Sequence, residues 1–201
     1  MGKIYPDDDQ LHEANNVDGN MSTSSSKRER YTVWMKSLVF HSNGCTVYNS
    51  DGNIVYRVDN YDTKGTREVY LMDLRGTVLC TIQKRKLGFG CWEGFRYCSS
   101  RRKEMRWFQV KKCQNMMMKG KGECEITVGR EKYWIVAMGK NKAEFGIINM
   151  EGQIVAEVQQ KESLSGVVLG DDVVTLEVEA NTDHSLIMAF VTVYGLIRGV
   201  M

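Results

Sequence analysis

The final segment of this chain constrains its fold more than any other feature. From Ser185 to Ile197 the residues are apolar on nearly every side of a helix. A helix that is apolar all round has to be buried all round, and in a chain otherwise patterned for strands the place to bury it is inside a closed sheet. From Asp183 to Ile197 such a helix is roughly 22 Å long. It is too short to cross a bilayer, because a membrane-spanning helix needs ~20 apolar residues. The large side chains expected to fill the interior are Leu186, Ile187, Met188, Phe190, Val191, Val193, Leu196 and Ile197.

Most of the chain before this segment alternates with a period of two. Apolar and polar residues take turns over short runs, as expected for strands of an antiparallel sheet with one buried face. The predicted inward positions include Ile54, Tyr56 and Val58, then Cys124, Ile126 and Val128, and finally Val174, Leu176 and Val178.

One turn pattern occurs three times, at residues 48–55, 72–79 and 148–155. In each, an apolar residue is followed by Asn or Asp, then by Gly three positions later, and then by further apolar residues. Asn49, Asp73 and Asn149 can each accept a hydrogen bond from the backbone ahead of them, and the glycine permits positive φ. The pattern predicts three hairpins, each a type I turn followed by a bulge, and therefore an up-and-down antiparallel sheet.

The composition favours one folded domain after a polar tail. The chain has 201 residues, of which 42% are apolar, which is enough for one sizeable core. Residues 1–30 are polar and are predicted to be a disordered tail, so we place the domain at 31–201. Acidic residues stand where a secretory signal needs an apolar core. We therefore expect a cytoplasmic or nuclear protein whose six cysteines are reduced.

Residues 84–112 form a basic segment, with ten Lys and Arg against two Glu. Clustered cations are attracted to anionic lipid headgroups, so the segment is a candidate binding face. The alternative is that its charges occupy hairpin tips and outer strand faces, while aromatic residues such as Trp92, Phe95 and Phe108 belong to the core. Nucleic acid is a weaker candidate because no helix-turn-helix or zinc-finger pattern is present. The residues proposed for the binding face are Lys84, Arg85, Lys86, Arg96, Arg101, Arg102 and Lys103.

Catalytic and metal-binding patterns are weak in this sequence. The six cysteines form no Cys-x-x-Cys pair, and there are only three histidines, so no zinc site is expected. His41 and Cys45 would be roughly 13 Å apart on a strand, too far to act as a base and a nucleophile. We predict no catalytic residue, no cofactor and no metal.

Several motifs resemble those of the plant LURP-one-related family. The run Thr32-Val-Trp34-Met-Lys36-Ser37-Leu38 resembles the opening strand of these proteins, and Arg57-Val-Asp-Asn-Tyr61 is the most specific match. The similarity covers about 31–197. Further matching motifs are Gly44-x-x-Val47-Tyr48-x-Ser50-x-Gly52-Asn53, Trp92-Glu-Gly-Phe95-Arg96 and Asp183-His-Ser-Leu-Ile-Met-Ala189.

The resemblance implies a tubby-like fold, a closed antiparallel barrel of about twelve strands around a hydrophobic C-terminal helix. It also implies a non-enzymatic role related to phospholipid scramblases and membrane-tethered transcription regulators, with phosphoinositide binding and plant defence as associated functions. We expect a peripheral protein at the plasma membrane that contacts anionic headgroups or a protein partner and has no transmembrane segment. The alternative is a scramblase-like protein whose C-terminal helix inserts into the membrane.

Overall fold

A computed structural model describes residues 25–35, 44–60, 68–85, 90–98, 103–113, 122–139, 144–162, 169–170 and 172–200. These residues form twelve strands and one helix. The elements are β1 (Glu29–Trp34), β2 (Gly44–Tyr48), β3 (Ile54–Asn60), β4 (Glu68–Asp73), β5 (Val78–Lys84), β6 (Cys91–Cys98), β7 (Lys103–Lys112), β8 (Cys124–Val128), β9 (Glu131–Ala137), β10 (Phe145–Ile148), β11 (Ile154–Gln160), β12 (Val173–Val178) and α1 (His184–Arg198).

The twelve strands form one closed antiparallel barrel. Each strand pairs with the next along the chain, and β1 closes the barrel against β12, with Tyr31 opposite Leu176. The predicted period of two is visible in the burial, since Val174, Leu176 and Val178 are all buried. Closure leaves no exposed sheet edge. The predicted fold, an antiparallel barrel with a C-terminal helix packed against it, is confirmed.

The three predicted hairpin turns are confirmed in detail. The Asn49 side-chain oxygen accepts hydrogen bonds from the amides of Asp51 and Asn53, and Gly52 has a φ of +80°. Equivalent bonds occur around Asp73 and Asn149. A register shift follows in each hairpin, which is the expected bulge.

Helix α1 lies in the interior of the barrel. Its start is capped by the Asp183 carboxylate, which accepts from the amides of Ser185 and Leu186. Residues 184–195 are buried, while Leu196 and Ile197 are partly buried. Within the described residues, no helix combines the length and the apolar character needed to cross a bilayer.

Aromatic residues connect the helix to the barrel wall. The Phe190 ring lies 5.3 Å from that of Phe108 in an edge-to-face contact and 5.6 Å from that of Tyr133. Nearer the helix end, the Tyr194 and Phe145 rings meet at 4.5 Å. Trp92 and Phe108 are buried, as expected for core residues, whereas Phe95 is only half-buried.

The two ends of the barrel differ in their connections. At the end where α1 starts, which we call the Asp183 end, the strands are joined by short connections that include all three repeated turns. At the opposite end, which we call the Arg198 end, the connections span the longer ranges 35–43, 61–67, 85–90, 113–123, 138–144 and 161–172. Connections carried on a rigid scaffold commonly bear the binding residues of a protein.

Ion pairs join the first strand to the last. β1 starts at Glu29, and Arg28 and Arg30 both pair with Glu177 on β12. Residues 1–24 lie outside the described residues.

Candidate functional site

The β6–β7 hairpin divides the basic segment between the two ends of the barrel. β6 leads from the Arg198 end to the Asp183 end, and β7 returns. Eight residues of β6 span about 26 Å, so the predicted cations do not form a single cluster. Lys84 and Arg85 lie at the Arg198 end, whereas Arg96 and the backbone of Lys103 lie towards the Asp183 end. The predicted residues Lys86, Arg101 and Arg102 lie outside the described residues.

The side chain of Arg96 lies beside the residue that caps the start of helix α1. Its guanidinium group lies 4.1 Å from the centre of the Trp107 ring, in a cation–π contact. One of its nitrogens is also 3.8 Å from the carboxylate of Asp183, the helix cap. These contacts orient the arginine towards the helix cap.

Five cations gather at the Arg198 end. Lys84 and Arg85 lie at the end of β5, Lys111 and Lys112 at the end of β7, and Arg198 at the end of α1. The Lys84 ammonium group lies 5.9 Å from the Trp92 ring centre, and the Arg198 guanidinium lies 5.4 Å from that of Tyr194.

The ion pairs of the barrel involve other cations. Among the described residues, none of the five cations of the Arg198 end has a carboxylate partner within 4 Å. The cations that are paired with a carboxylate are Arg28, Arg30, Arg57, Arg96, Arg106 and Lys132. None of these five cations is therefore held in an ion pair with a described residue, although the Glu123 carboxylate lies at the same end.

A pocket of about 380 Å³ opens beside the last turn of α1 at this end. Lys112 lies directly across the β7–β8 ladder from Cys124, so both occupy the face that Val110 and Ile126 present to the interior. The residues that line the pocket are Lys112, Glu123, Cys124, Tyr194, Ile197 and Arg198.

A hydrogen bond fixes one wall of the pocket. The Tyr194 hydroxyl donates to a Glu123 carboxylate oxygen at 2.5 Å. Burial, together with this bond, raises the pKa of Tyr194 well above its usual range. Burial likewise raises the pKa of the Cys124 thiol to about 12, so both groups are neutral at physiological pH.

The sequence alone places Lys112 only in the basic segment 84–112 and assigns Glu123, Tyr194 and Arg198 to no binding site. A signal for Lys112 was present, because Phe108, Val110 and Lys112 share the inward face in a period of two. A lysine in that register breaks an apolar face at the barrel mouth. The approach of Glu123 to Tyr194, 71 residues away, has no local signal.

A second polar cluster lies at the Asp183 end. The Tyr31 hydroxyl donates to Glu29 at 2.7 Å and lies 2.8 Å from Nδ1 of His184, which faces it as a donor. Burial lowers the pKa of His184, although the nearby Glu29 carboxylate partly opposes this. This cluster attaches the first turn of α1 to β1 and is best explained as a structural contact.

The described cysteines are not joined by disulfides. Cys45, Cys80, Cys91 and Cys124 are buried free thiols, and Cys113 is exposed. Burial raises the pKa values of Cys45 and Cys80 to about 12, so neither is a reactive thiolate at neutral pH. No group of three or more metal-binding side chains occurs among the described residues.

Comparisons with known proteins agree with the fold and the motifs. The LURP-one-related family model matches residues 29–195. Protein LURP-one-related 4 of Arabidopsis thaliana is 47% identical over 180 residues, which cover 88% of this chain and 81% of the relative. Protein LURP-one-related 11 of the same plant is 38% identical, with 100% and 90% coverage. An X-ray structure of an Arabidopsis thaliana protein superimposes with a TM-score of 0.61 at 14% identity, covering 87% of this chain and 94% of that one.

Proposed function

Because this chain belongs to the LURP-one-related family, we propose that it is a non-enzymatic module that attaches to anionic lipid surfaces through the Arg198 end of its barrel. The observation that carries the proposal is the set of five cations at that end without carboxylate partners among the described residues. Each lysine or arginine near an anionic membrane contributes about 1 kcal/mol. Five such charges on one end of a rigid scaffold are enough for reversible attachment.

The proposed attachment is peripheral. Residues 184–195 of α1 are buried in the barrel, so inserting the helix into a bilayer would require the barrel to release its own core. A surface contact made by Lys84, Arg85 and Lys111 requires no such opening. The protein would therefore work in the cytoplasm or nucleus and bind the inner face of the plasma membrane, with phosphoinositides as candidate headgroups. A regulatory role in plant defence would act through this attachment.

Charge reversal at the two ends of the barrel tests the proposal. The first variant carries Lys84→Glu, Arg85→Glu and Lys111→Glu at the Arg198 end. The control carries Arg75→Glu and Arg130→Glu, two exposed arginines in turns at the Asp183 end. Both variants are mixed with vesicles of phosphatidylcholine containing phosphatidylserine or a phosphoinositide, and the sedimented fraction is measured at rising salt.

We expect the first variant to bind at least tenfold more weakly than wild type and the control to bind nearly as well. Binding of the wild type should fall as salt rises, because ions screen exposed charges. Equal binding by both variants would refute the proposed face. Wild-type protein that stays with the vesicles through carbonate extraction would favour the inserted-helix alternative.

A further inference from the structure

The pocket beside the last turn of α1 has the volume of a small-molecule site and shares Lys112 and Arg198 with the cations of the proposed lipid contact. Its volume of about 380 Å³ is within the range of ligand pockets, which starts at roughly 300 Å³. Tyr194 is 3% exposed and is held by the Phe145 ring and by Glu123. Because both partners fix Tyr194, this side of the pocket has its shape before any ligand binds.

The charges of the lining restrict the ligand to a low negative charge. Lys112 and Arg198 supply two cations, and Glu123 supplies one carboxylate, so the lining has a small net positive charge. The last carbonyls of α1 place the negative end of the helix dipole at the same position. A polyphosphate group would be repelled by Glu123 and by the helix end, whereas a single anionic group would be attracted by Lys112 and Arg198.

Ile197 provides the main apolar surface of the pocket, because it is only partly buried. The Cys124 thiol and the Tyr194 ring also line the pocket, but they are 1% and 3% exposed. Burying apolar atoms there is favourable at about 25 cal/mol per Å². The pocket thus combines one anion-attracting side with one apolar side.

We infer that this pocket binds a small amphiphilic monoanion, such as a carboxylate with a short aliphatic or aromatic body. The carboxylate interacts with Lys112 and Arg198, and the apolar body packs against Ile197. No bond is made or broken in this step. The inference goes beyond lipid attachment, because it requires no membrane and adds Glu123, Tyr194 and Ile197 to the two cations, Lys112 and Arg198, that the two proposals share.

Fluorescence of 8-anilinonaphthalene-1-sulfonate, an amphiphilic monoanion, tests the inference with the full chain. Lys112→Gln and Arg198→Gln should each weaken probe binding at least fivefold. Lys84→Gln is the matched control, because Lys84 is a cation at the same end that does not line the pocket; it should bind the probe as wild type does. Octanoate should displace the probe, and octylammonium should not.

Circular dichroism melts show which variants are folded. Lys112→Gln is expected to fold, because Lys112 is an exposed residue at the end of a strand. Equal probe binding by wild type and Lys112→Gln would overturn the inference. Equal displacement of the probe by octanoate and octylammonium would also overturn the inference, because the charge of the ligand would then have no effect on binding. The variant with Lys84→Glu, Arg85→Glu and Lys111→Glu separates the two proposals, because none of these residues lines the pocket: it should lose vesicle binding and still bind the probe.

Discussion

Replacing Gly94 in β6 by alanine should destabilise the protein severely, because Gly94 has no room for a side chain. A Cβ atom placed there would be 2.1, 2.3 and 2.7 Å from three atoms of the Phe108 ring. Carbon atoms in contact normally stay 3.5 Å apart or more. The Phe108 ring is enclosed by Phe190 at 5.3 Å and by Trp107 at 5.9 Å, so it cannot move aside without disturbing its neighbours.

The expected cost is about 3 kcal/mol, at the upper end for overpacking a core. With a urea dependence of about 2 kcal/mol per molar, the unfolding midpoint should fall by about 1.5 M. Gly146→Ala in β10 is the matched control. Its new Cβ would meet chiefly the Met138 sulfur, at 2.6 Å, and Met138 is 41% exposed. That flexible side chain can move, so we expect a cost below about 1 kcal/mol.

A double-mutant cycle identifies the cause. In a Phe108→Leu background the ring atoms that Gly94→Ala would meet are gone, so the added cost of Gly94→Ala should fall below about 1 kcal/mol. The free energies come from urea titrations followed by tryptophan fluorescence. If Gly94→Ala costs the same in both backgrounds, or no more than Gly146→Ala, the packing described between β6, β7 and α1 is wrong.

Two further predictions concern the two ends of α1. Asp183→Ala should remove the N-cap and lower stability by about 1 kcal/mol, seen as a fall of about 2–4 °C in Tm, while Asp183→Asn should retain most of the stability; equal melting of both variants would contradict a capping role. At the other end, the raised pKa of Tyr194 means that above pH ~10 tyrosine ionises in the unfolded chain before it does so in the folded one, so stability should decrease as pH rises. The urea midpoint should therefore fall less between pH 8 and pH 11 for Tyr194→Phe than for wild type. An equal fall in both proteins would exclude this contribution of Tyr194.

Both binding proposals place the ligand at the same end of the barrel. One end of the scaffold carries short turns, and the other carries the longer connections, five cations that form no ion pair with described residues, and the pocket. A barrel filled by its own helix is rigid, so it can hold Lys112 and Arg198 in fixed positions around a ligand. This arrangement fits a binding protein that presents one end to its partner.

Local patterns in the sequence determined the elements of this fold. The repeated Asn/Asp-x-x-Gly turns predicted three hairpins because a side-chain hydrogen bond and a positive φ are properties of a few adjacent residues. The all-round apolar character of residues 185–197 predicted an interior helix, because such a surface needs an apolar environment and the segment is shorter than a membrane span. No local pattern predicts the pairing of Arg28 and Arg30 with Glu177, because it connects residues far apart in the chain.

The tertiary structure alone decided where the charges lie. In the sequence, Lys84 and Arg96 belong to one basic segment. In the structure, Lys84 lies at the Arg198 end and β6 places Arg96 towards the Asp183 end, while β7 returns so that Lys112 lies at the same end as Lys84. The pocket depends on Glu123 meeting Tyr194 across 71 residues. Such long-range contacts follow from the number of strands, their register and the closure of the barrel. These are properties of the whole chain that no short segment encodes.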